Sequence, residues 1–493
     1  MKSLPLETAT SLAPKIPQIA ISESSVCSPS ASNSPALKKD AIRTSLKAST
    51  LDAVFVGIFS ITTGGILLSH FLVELGANPI VFGMLSSIPM VVNLIQPLGA
   101  YLSELTTSRF RYSLLTNGIA RSLWLILVIG IVAFSLGQIN THHLIILTLV
   151  IVLLSHLLAG LGSASWVSWI AMIVPRQLRG RYFGLRNSAA CLTNLIYVPI
   201  VGFLVSKFPG GTLQGYGVFV LFGILSGITS IGCQYFQTDI NPQIQNSCAG
   251  QSCDVQHTPH NPSESVLLTR FQQDSSVKTS ILKNSNFLMF LFYFSCWMFA
   301  FNLSAPYFNL YMLDTMKLDV SLVTLYSSLQ AGANLLMLIF WGKLSDKIGN
   351  RPILIMIGIL VAIAPLFWLG ISANRFDMWV WLPLLHLYVG GTSAGVDLCN
   401  HNMQLGVVPV KQQSIYFAIT AAAAGVSGAL GTTIGGFIAQ NPANGGLIGL
   451  FAISAFFRLL ALIPLVFIKE PRGLSLIRMI QTLWIFRRKV VQM

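Results

Sequence analysis

The sequence contains little charge for its length. Only 9% of its 493 residues are Asp, Glu, Lys or Arg, while 53% are hydrophobic. Soluble domains carry roughly 25% charged residues, so this chain has too few charges to cover a water-facing surface of its size. A lipid-facing surface needs none. The composition therefore excludes an ordinary water-soluble domain and indicates a protein embedded in a bilayer.

Recognisable catalytic and metal motifs are also scarce. The sequence has no His-Glu-x-x-His zinc helix and no Gly-rich phosphate loop that ends in Lys-Ser or Lys-Thr. The seven cysteines are scattered and do not form a secreted disulfide framework. We therefore expect neither enzymatic activity nor a cofactor, and we expect a gradient rather than a nucleotide to drive the protein.

Apolar stretches of about 20 residues, long enough to cross a bilayer as helices, recur along the chain. They predict an all-α membrane protein with twelve spans, at 51–75, 78–103, 112–137, 144–174, 182–206, 214–236, 286–313, 319–343, 351–372, 378–405, 413–439 and 445–468. The spans fall into an N-terminal half over 51–236 and a C-terminal half over 286–468. A polar cytoplasmic linker over 237–285 joins the two halves.

The two ends of the chain differ from the spans in composition. Residues 1–50 are rich in Ser, Pro and Ala and predict a disordered tail, and residues 469–493 form a basic tail. The first fifty residues contain no apolar core segment, so we expect no cleavable signal peptide and expect the first span to direct insertion.

Basic residues account for the net charge of +14 and lie mainly in the tails, in the linker and in alternate loops. This asymmetry places both termini in the cytoplasm, by the positive-inside rule. A nucleic-acid surface needs one contiguous basic patch, which the sequence lacks. We expect a monomer in the plasma membrane, although an internal membrane imposes the same hydropathy.

An internal repeat relates the two halves. Val174-Pro175 and Tyr182-Phe183 reappear, 234 positions later, as Val408-Pro409 and Tyr416-Phe417, and Gly202 falls on Gly436. Each copy lies between the fourth and fifth spans of its half. Parallel six-helix halves of this kind are typical of one transporter architecture.

The loop after the eighth span reads Gly342-Lys343-Leu344-Ser345-Asp346-Lys347-Ile348-Gly349-Asn350-Arg351-Pro352. It resembles the loop signature of the major facilitator superfamily, Gly-x-Leu-x-Asp-x-x-Gly-Arg-Arg/Lys. We expect Gly342 to let two helices approach and Gly349 to permit the turn. The resemblance implies that Asp346, with Lys347 and Arg351 nearby, pairs with a basic partner or caps the next helix and so forms a reversible gate.

The matching loop of the first half departs from this signature. Gly99 opens it, Ser103 occupies the place of the aspartate, Glu104 follows, and Arg109 supplies the basic end. The resemblance implies two six-helix halves that tilt about a central solute site, as in a secondary symporter or antiporter. The fourth span carries no arginine and the fifth retains only Pro199 and Gly202 of the antiporter pattern, which weakens a drug-antiporter interpretation.

Ionisable residues inside spans are costly and usually face a cavity or a partner. Asp397 and His401 are four residues apart in the tenth span and share a helical face, so they are our candidates for proton coupling. A hydrogen-bonded patch that only stabilises the half is the alternative. The candidate cavity residues are Asn93, Gln96, Arg121, Trp166, Trp169, Asn302, Tyr307, Gln330, Asn334 and Asn400.

The amides and hydroxyls in this set suit a neutral or zwitterionic small solute. The partners we expect are therefore a small-molecule substrate, protons or another coupling ion, and lipid. Three rivals stay open: an exporter of a siderophore, drug or metabolite, a pigment-delivery factor, and a transporter-like receptor. Cys248, Cys253, His257 and His260 in the linker fit no established zinc spacing, so we predict no metal site.

Overall fold

The computed structural model describes residues 39–105, 109–173, 179–237, 284–408 and 413–470. Every regular element within these ranges is helical. The predicted all-α fold class is therefore confirmed for the described part of the chain. Residues 1–38, most of the linker and residues 471–493 lie outside it, as do the four Cys and His residues of the linker.

In the described part of the N-terminal half, nine helices make six crossings. They are α1 (Lys39–Thr62) and α2 (Gly65–Glu74), α3 (Pro79–Val92) and α4 (Gln96–Leu105), α5 (Arg109–Ser122) and α6 (Trp124–Ser135), α7 (Thr141–Ile173), α8 (Arg179–Ser206) and α9 (Thr212–Tyr235). The first three crossings are each broken into two helices, and the last three are continuous.

The C-terminal half follows the same plan. Its helices are α10 (Ser285–Asn302) with the short α11 (Tyr307–Leu310), α12 (Val320–Ile348), α13 (Asn350–Ile363), α14 (Leu382–Val407), α15 (Gln413–Gln440) and α16 (Gly446–Ala461). Ten segments of the described chain are long and apolar enough to span a membrane. The broken pair α3–α4 and the more polar α14 complete the twelve crossings that the sequence predicts.

The predicted N-terminal tail is too long, because α1 begins at Lys39 rather than near residue 51. Ser45, Ala48 and Ser49 of this extension are buried. Small polar side chains can pack against other helices without raising the hydropathy of a segment. For this reason the extension appears disordered when only its composition is considered.

The break between α1 and α2 has a local cause. The hydroxyls of Thr62 and Thr63 both donate to the Phe59 carbonyl, at 2.9 and 2.7 Å, and so compete with the helical hydrogen bonds of the backbone. Gly65 then adopts a φ of +55°, which favours glycine. The break places Gly64 and Gly65 beside the central cavities described below.

The basic end of the bundle is defined here as the end where α1 begins and where the Gly342–Arg351 loop lies; the other is the opposite end. At the opposite end the halves are in close contact. A Cβ on Gly83 would lie 2.7 Å from the Thr432 carbonyl oxygen, and one on Gly436 would lie 3.0 Å from the Pro79 oxygen. The Ser206 hydroxyl donates to Asp319 at 2.9 Å.

The repeat-related glycines take part in this contact in both halves. A Cβ on Gly202 of α8 would collide with Thr324 of α12, and Gly436 of α15 packs against Pro79 of α3. The sequence repeat therefore marks two positions where helices of opposite halves approach closely. Neither position tolerates a side chain without movement of its neighbour.

Towards the basic end the same helices separate. Ser188 and Cys191 of α8 are exposed, and so are Leu335 and Leu338 of α12. All four border one cavity instead of packing against each other. The two halves are thus in contact at the opposite end and apart at the basic end.

Candidate functional site

The larger of two central cavities has a volume of about 840 Å³ and lies between the halves. This volume is within the range of small-molecule sites. The polar side chains on its walls come from both halves and include Asn194, Asn309, Gln330, Asn334, His386 and Ser393. Trp368 and Phe308, whose ring centroids are 4.8 Å apart, supply an aromatic wall.

A second cavity of about 580 Å³ lies mainly within the N-terminal half. Asn117, Arg121, Trp124 and His156 border it. Gly65 and Asn309 border both cavities, so the two spaces adjoin at the centre of the bundle. The arrangement offers amide donors and acceptors, two imidazoles and aromatic surface to a solute that enters between the halves.

Three of the predicted cavity residues lie where the sequence analysis expects them. Gln330 and Asn334 border the larger cavity from one face of α12, and Arg121 borders the smaller one. Arg121 is 5% exposed, and its Nη1 donates to the Gly227 carbonyl at 2.5 Å.

Other predicted cavity residues border neither space. Asn302 donates to the Met298 carbonyl at 2.8 Å, and the Tyr307 hydroxyl donates to the Thr432 carbonyl at 2.5 Å. Asn400 accepts a hydrogen bond of 3.0 Å from the Tyr293 hydroxyl. All three are buried. In this structure internal hydrogen bonds hold these groups inside the helix packing, away from both cavities, and their role at a substrate site stays a prediction.

The remaining predicted residues also lie away from the two cavities. The Gln96 amide donates to Asn93 at 2.9 Å, and both residues are exposed. Trp166 packs under Arg186, with 4.4 Å between the guanidinium carbon and the ring centroid. Trp166 therefore serves a cation–π contact rather than a cavity wall. The side chain of Trp169 lies outside the described residues.

Asp397 and His401 occupy the face of α14 that continues from Ser393 towards the basic end. Ser393 borders the larger cavity, and Asp397 and His401 follow at intervals of four residues. Both are exposed. Within the described structure no hydrogen bond or ion pair joins them. They are therefore placed beyond the cavity-lining part of the helix, towards the side where the halves separate.

A sequence family model for the Major Facilitator Superfamily matches residues 53–400 and 319–481. The chain belongs to the Major Facilitator Superfamily. It is accordingly a multi-pass membrane transporter and not an enzyme. The resemblance based on the loop after the eighth span and on the internal repeat is thereby confirmed.

Solved structures with the same fold support this assignment. A D-xylose-proton symporter has 16% sequence identity and a TM-score of 0.64, with 88% of this chain and 100% of that chain covered. The nucleoside transporter NupG has 13% identity and a TM-score of 0.62, with 87% of this chain and 100% of that chain covered. A bacterial homologue of the iron transporter ferroportin, in an inward-facing state, has 13% identity and a TM-score of 0.59, with 87% of this chain and 98% of that chain covered. A search of curated protein sequences found no match.

The superfamily loop has a different hydrogen-bond pattern from the one the sequence predicts. Gly349 adopts a φ of +100°, which explains the glycine at the turn. Asp346 is exposed and makes no hydrogen bond in the described structure. The cap of α13 comes from Glu470, which accepts from the backbone amides of Asn350 and Arg351, both at 2.9 Å. In this state Glu470 rather than Asp346 caps α13, and the gating role of Asp346 stays a prediction.

The two glycines that open the loops differ in their surroundings. A Cβ on Gly342 would lie 3.8 Å from Leu398, an ordinary contact, so close helix approach does not explain this glycine. A Cβ on Gly99 would lie 2.6 Å from the Leu161 Cα, so α4 and α7 do require a glycine there. The side chains of Glu104 and Arg109 lie outside the described residues.

The segment Gly391-Thr392-Ser393-Ala394-Gly395 has the letters of a hydrolase nucleophile motif. That motif works on a sharp turn between a strand and a helix. Here all five residues lie inside the continuous helix α14, and the Thr392 hydroxyl donates to the Tyr388 carbonyl at 2.8 Å. In this transporter the glycines instead serve close packing, since a Cβ on Gly395 would collide with Ile357 and one on Gly391 would lie 3.3 Å from Met337.

A buried ion pair that the sequence did not indicate joins the first and fifth crossings. Asp52 is 2% exposed, and its Oδ2 lies 3.5 Å from Arg186 Nη2. The predicted first span begins at residue 51, which puts Asp52 at its boundary rather than inside it. The earlier start of α1 places this carboxylate well inside the helix.

Arg458 of α16 is likewise buried, at 2% exposure, and borders the larger cavity. Its Nη1 donates to the Val361 carbonyl at 3.0 Å, and its Nη2 donates to the Ser304 hydroxyl at 2.9 Å and to the Phe301 carbonyl at 3.2 Å. These bonds join α10, α13 and α16. Arg458 therefore stabilises the helix packing of the C-terminal half.

Proposed function

We propose that the protein moves a small organic solute across the membrane by alternating access of the larger cavity, with a proton gradient as the driving force. The observation that carries the proposal is the cavity of about 840 Å³ between two halves that are in contact at only one end. A tilt of the halves would close the basic end and open the opposite one.

The positive-inside rule supports the orientation of this state. The basic loops put the basic end in the cytoplasm, so the separation of the halves there corresponds to an inward-facing conformation. The exposed Asp346 agrees with that interpretation, since a gate residue is released when its end of the bundle is open. The similarity to a ferroportin homologue in an inward-facing state also supports an inward-facing conformation.

Asp397 and His401 support the choice of a proton as the coupling ion. Both lie one or two turns beyond Ser393 on the cavity-facing side of α14, where water can reach them in the inward-facing state. A carboxylate and an imidazole can exchange protons with the cytoplasm at this position. The D-xylose-proton symporter, which has the same fold, is by its name coupled to protons.

The experiment is a disulfide lock. Ser206→Cys and Asp319→Cys join the halves at the opposite end, where the native side chains are 2.9 Å apart. In proteoliposomes, fractions of host extract are screened for a solute that collapses an imposed pH gradient. We expect oxidation of the cysteine pair to stop this flux and reduction to restore it.

The control pair is Asp314→Cys and Lys317→Cys, whose exposed charged groups are 2.9 Å apart within the C-terminal half. Because this cross-link does not join the two halves, it should leave transport intact. Flux that persists through the locked Ser206–Asp319 pair would contradict alternating access.

For the coupling site, Asp397→Asn should abolish the pH dependence of uptake, while substitution of the exposed Asp314 by Asn should retain it.

A further inference from the structure

The charge of the smaller cavity comes from one buried side chain. Arg121 is 5% exposed, and within the described structure only one hydrogen bond to protein is present, from Nη1 to the Gly227 carbonyl. A guanidinium has five N–H donors, so most of them are left for other partners. Its second neighbour is the Phe59 ring, whose centroid is 5.8 Å from the guanidinium carbon. Neither contact supplies a counter-charge.

The walls of both cavities, as far as the structure describes them, contain no aspartate or glutamate. The nearest buried carboxylate, Asp52, acts on Arg121 only through space. Its oxygens are engaged by Arg186 at 3.5 Å, by the Ser230 hydroxyl, and by the Gln234 amide at 3.0 Å. Asp52 and Arg186 together are neutral, which leaves the positive charge of Arg121 without a carboxylate of its own among the described residues.

A buried charge without a partner is costly, so a cavity of this kind favours a ligand that carries the opposite charge. Other polar groups face the same space: His156 from α7 and Asn309 from the C-terminal half, both able to donate to an anion. Phe59 and Trp124 meet edge to face, with ring centroids 6.4 Å apart, and provide an apolar wall beside the cation. Trp124 Nε1 is itself engaged by Ser155 at 3.0 Å.

Arg458 provides a contrast within the same protein. Its three hydrogen bonds reach two backbone carbonyls and one hydroxyl on neighbouring helices, and it links three elements. Both arginines border a cavity, but Arg121 has only one such bond in the described structure, so more of its N–H donors are left for a solute. Two buried arginines of the same bundle thus have different surroundings, and Arg121 is the one placed to bind a solute.

We propose that the smaller cavity is an anion subsite in which Arg121 binds a carboxylate of the transported solute, with His156 and Asn309 as further donors. The apolar part of the solute lies against Phe59 and Trp124. This inference rests on the proposed transport function and narrows it, because it replaces a neutral solute with an organic anion. Arginine suits the role, since its fork of donors matches the two oxygens of a carboxylate.

The test uses the purified full-length protein and pairs of probes that differ only in charge: benzoate with benzamide, and lactate with lactamide. Binding is measured by the shift in thermal unfolding at increasing probe concentration. We expect at least one carboxylate to bind about tenfold more tightly than its amide. Arg121→Gln should lower that affinity by about tenfold or more, and Arg121→Lys by less, because it keeps the charge but loses the fork.

Two further variants keep the result interpretable. Arg375→Gln removes an exposed cation from a loop remote from both cavities and should leave carboxylate binding unchanged. His156→Phe removes one of the further donors and should lower the carboxylate affinity, by less than Arg121→Gln does, so it tests the subsite even if Arg121→Gln folds poorly. Equal binding of carboxylate and amide, unchanged carboxylate affinity in Arg121→Gln, or no response to any carboxylate would overturn the proposal.

These outcomes are separate from those that test transport. Uptake of a neutral solute that survives Arg121→Gln would discard the anion subsite and leave alternating access standing. Carboxylate binding that depends on Arg121, together with flux that ignores the Ser206–Asp319 lock, would discard alternating access and leave the subsite standing.

Discussion

Asp52 and Arg186 form an ion pair inside the N-terminal half, with 3.5 Å between the carboxylate Oδ2 and the guanidinium Nη2. The other oxygen of Asp52 accepts hydrogen bonds from Ser230 and Gln234 of α9. The guanidinium in turn stacks on Trp166 of α7. The pair therefore ties α1, α7, α8 and α9 together near the basic end of this half.

Loss of one partner from such a pair leaves the other charge buried and uncompensated, which costs about 3–5 kcal/mol. We expect Asp52→Asn to lower the free energy of unfolding of the purified protein by an amount in this range, measured by denaturant titration. The double variant Asp52→Asn with Arg186→Gln should recover part of the loss, since it removes both charges.

The matched control for Asp52 is another aspartate in an ion pair. Asp314 and Lys317 are 2.9 Å apart but both are exposed. Exposed pairs contribute about 0–1 kcal/mol, so Asp314→Asn should have little effect. Equal effects of the two substitutions would contradict the role assigned to Asp52.

The architecture could be predicted from the sequence because its signals are local. Hydropathy depends on each segment alone, and the turn around Gly349 needs its glycine for reasons within the loop. Gly202 and Gly436 also became visible as a pair through the repeat, although their partners Thr324 and Pro79 did not. Each partner belongs to the other half, and no spacing in the sequence indicates which helices meet.

The candidate site was harder to predict, because a polar residue in a span gives the same sequence pattern whether its side chain faces a cavity or a neighbouring helix. Gln330 and Asn302 are both amides in spans, yet one borders the larger cavity and the other is bonded to Met298. His156 and His386 were missed for the same reason, since nothing local distinguishes a cavity-lining imidazole from a packed one. Only the packing of the helices separates these cases.

A second prediction concerns Glu470, which caps α13 from the segment that follows α16. It accepts from the Asn350 amide and side chain, at 2.9 and 3.0 Å, and from the Arg351 amide. Loss of a helix cap costs about 0.5–2 kcal/mol, and bonds to a charged group lie at the upper end. We expect Glu470→Ala to destabilise the purified protein by about 1–2 kcal/mol in denaturant titration, and Glu470→Gln by less.

Glu74 offers the corresponding control. It is exposed and pairs with His70 of the same helix at 3.4 Å, without capping another element. Glu74→Ala should therefore change the stability by less than about 1 kcal/mol. A Glu470→Ala variant as stable as this control would show that the cap does not stabilise the basic end.

A third prediction uses the close approach at Gly83. A Cβ there would lie 2.7 Å from both the Thr432 oxygen and the Tyr307 hydroxyl, so Gly83→Ala obstructs contact between the halves at the opposite end. Overpacking costs about 1–3 kcal/mol, which corresponds to roughly a 5- to 150-fold change in an equilibrium. We expect slower disulfide formation between Ser206→Cys and Asp319→Cys by about that factor.

Gly232 of α9 is the control for this substitution, because nothing lies within 4 Å of a Cβ at that position. Gly232→Ala also replaces a helical glycine and gains the same helix propensity. It should leave the rate of disulfide formation unchanged. If both variants behave alike, the approach of Gly83 to Thr432 does not govern closure.

The last prediction concerns pH and Asp319, which caps α12 and joins the halves. Its burial opposes ionisation, but hydrogen bonds from Ser321 and Ser206 and the charge of Lys207 outweigh this, so the pKa of Asp319 is lowered. A lowered pKa means that the carboxylate stabilises the closed opposite end above the ordinary aspartate value of about 4, and that this stabilisation is lost as the pH falls through the lowered pKa. Acidification should therefore separate spin labels on Gln138→Cys and Arg375→Cys, which lie in exposed loops of the two halves at that end. Asp319→Asn should remove the acid-induced increase in the distance between the labels. The control Glu74→Gln, which alters the neighbouring His70 pair, should retain that increase. An increase that survives Asp319→Asn would assign the response to another group.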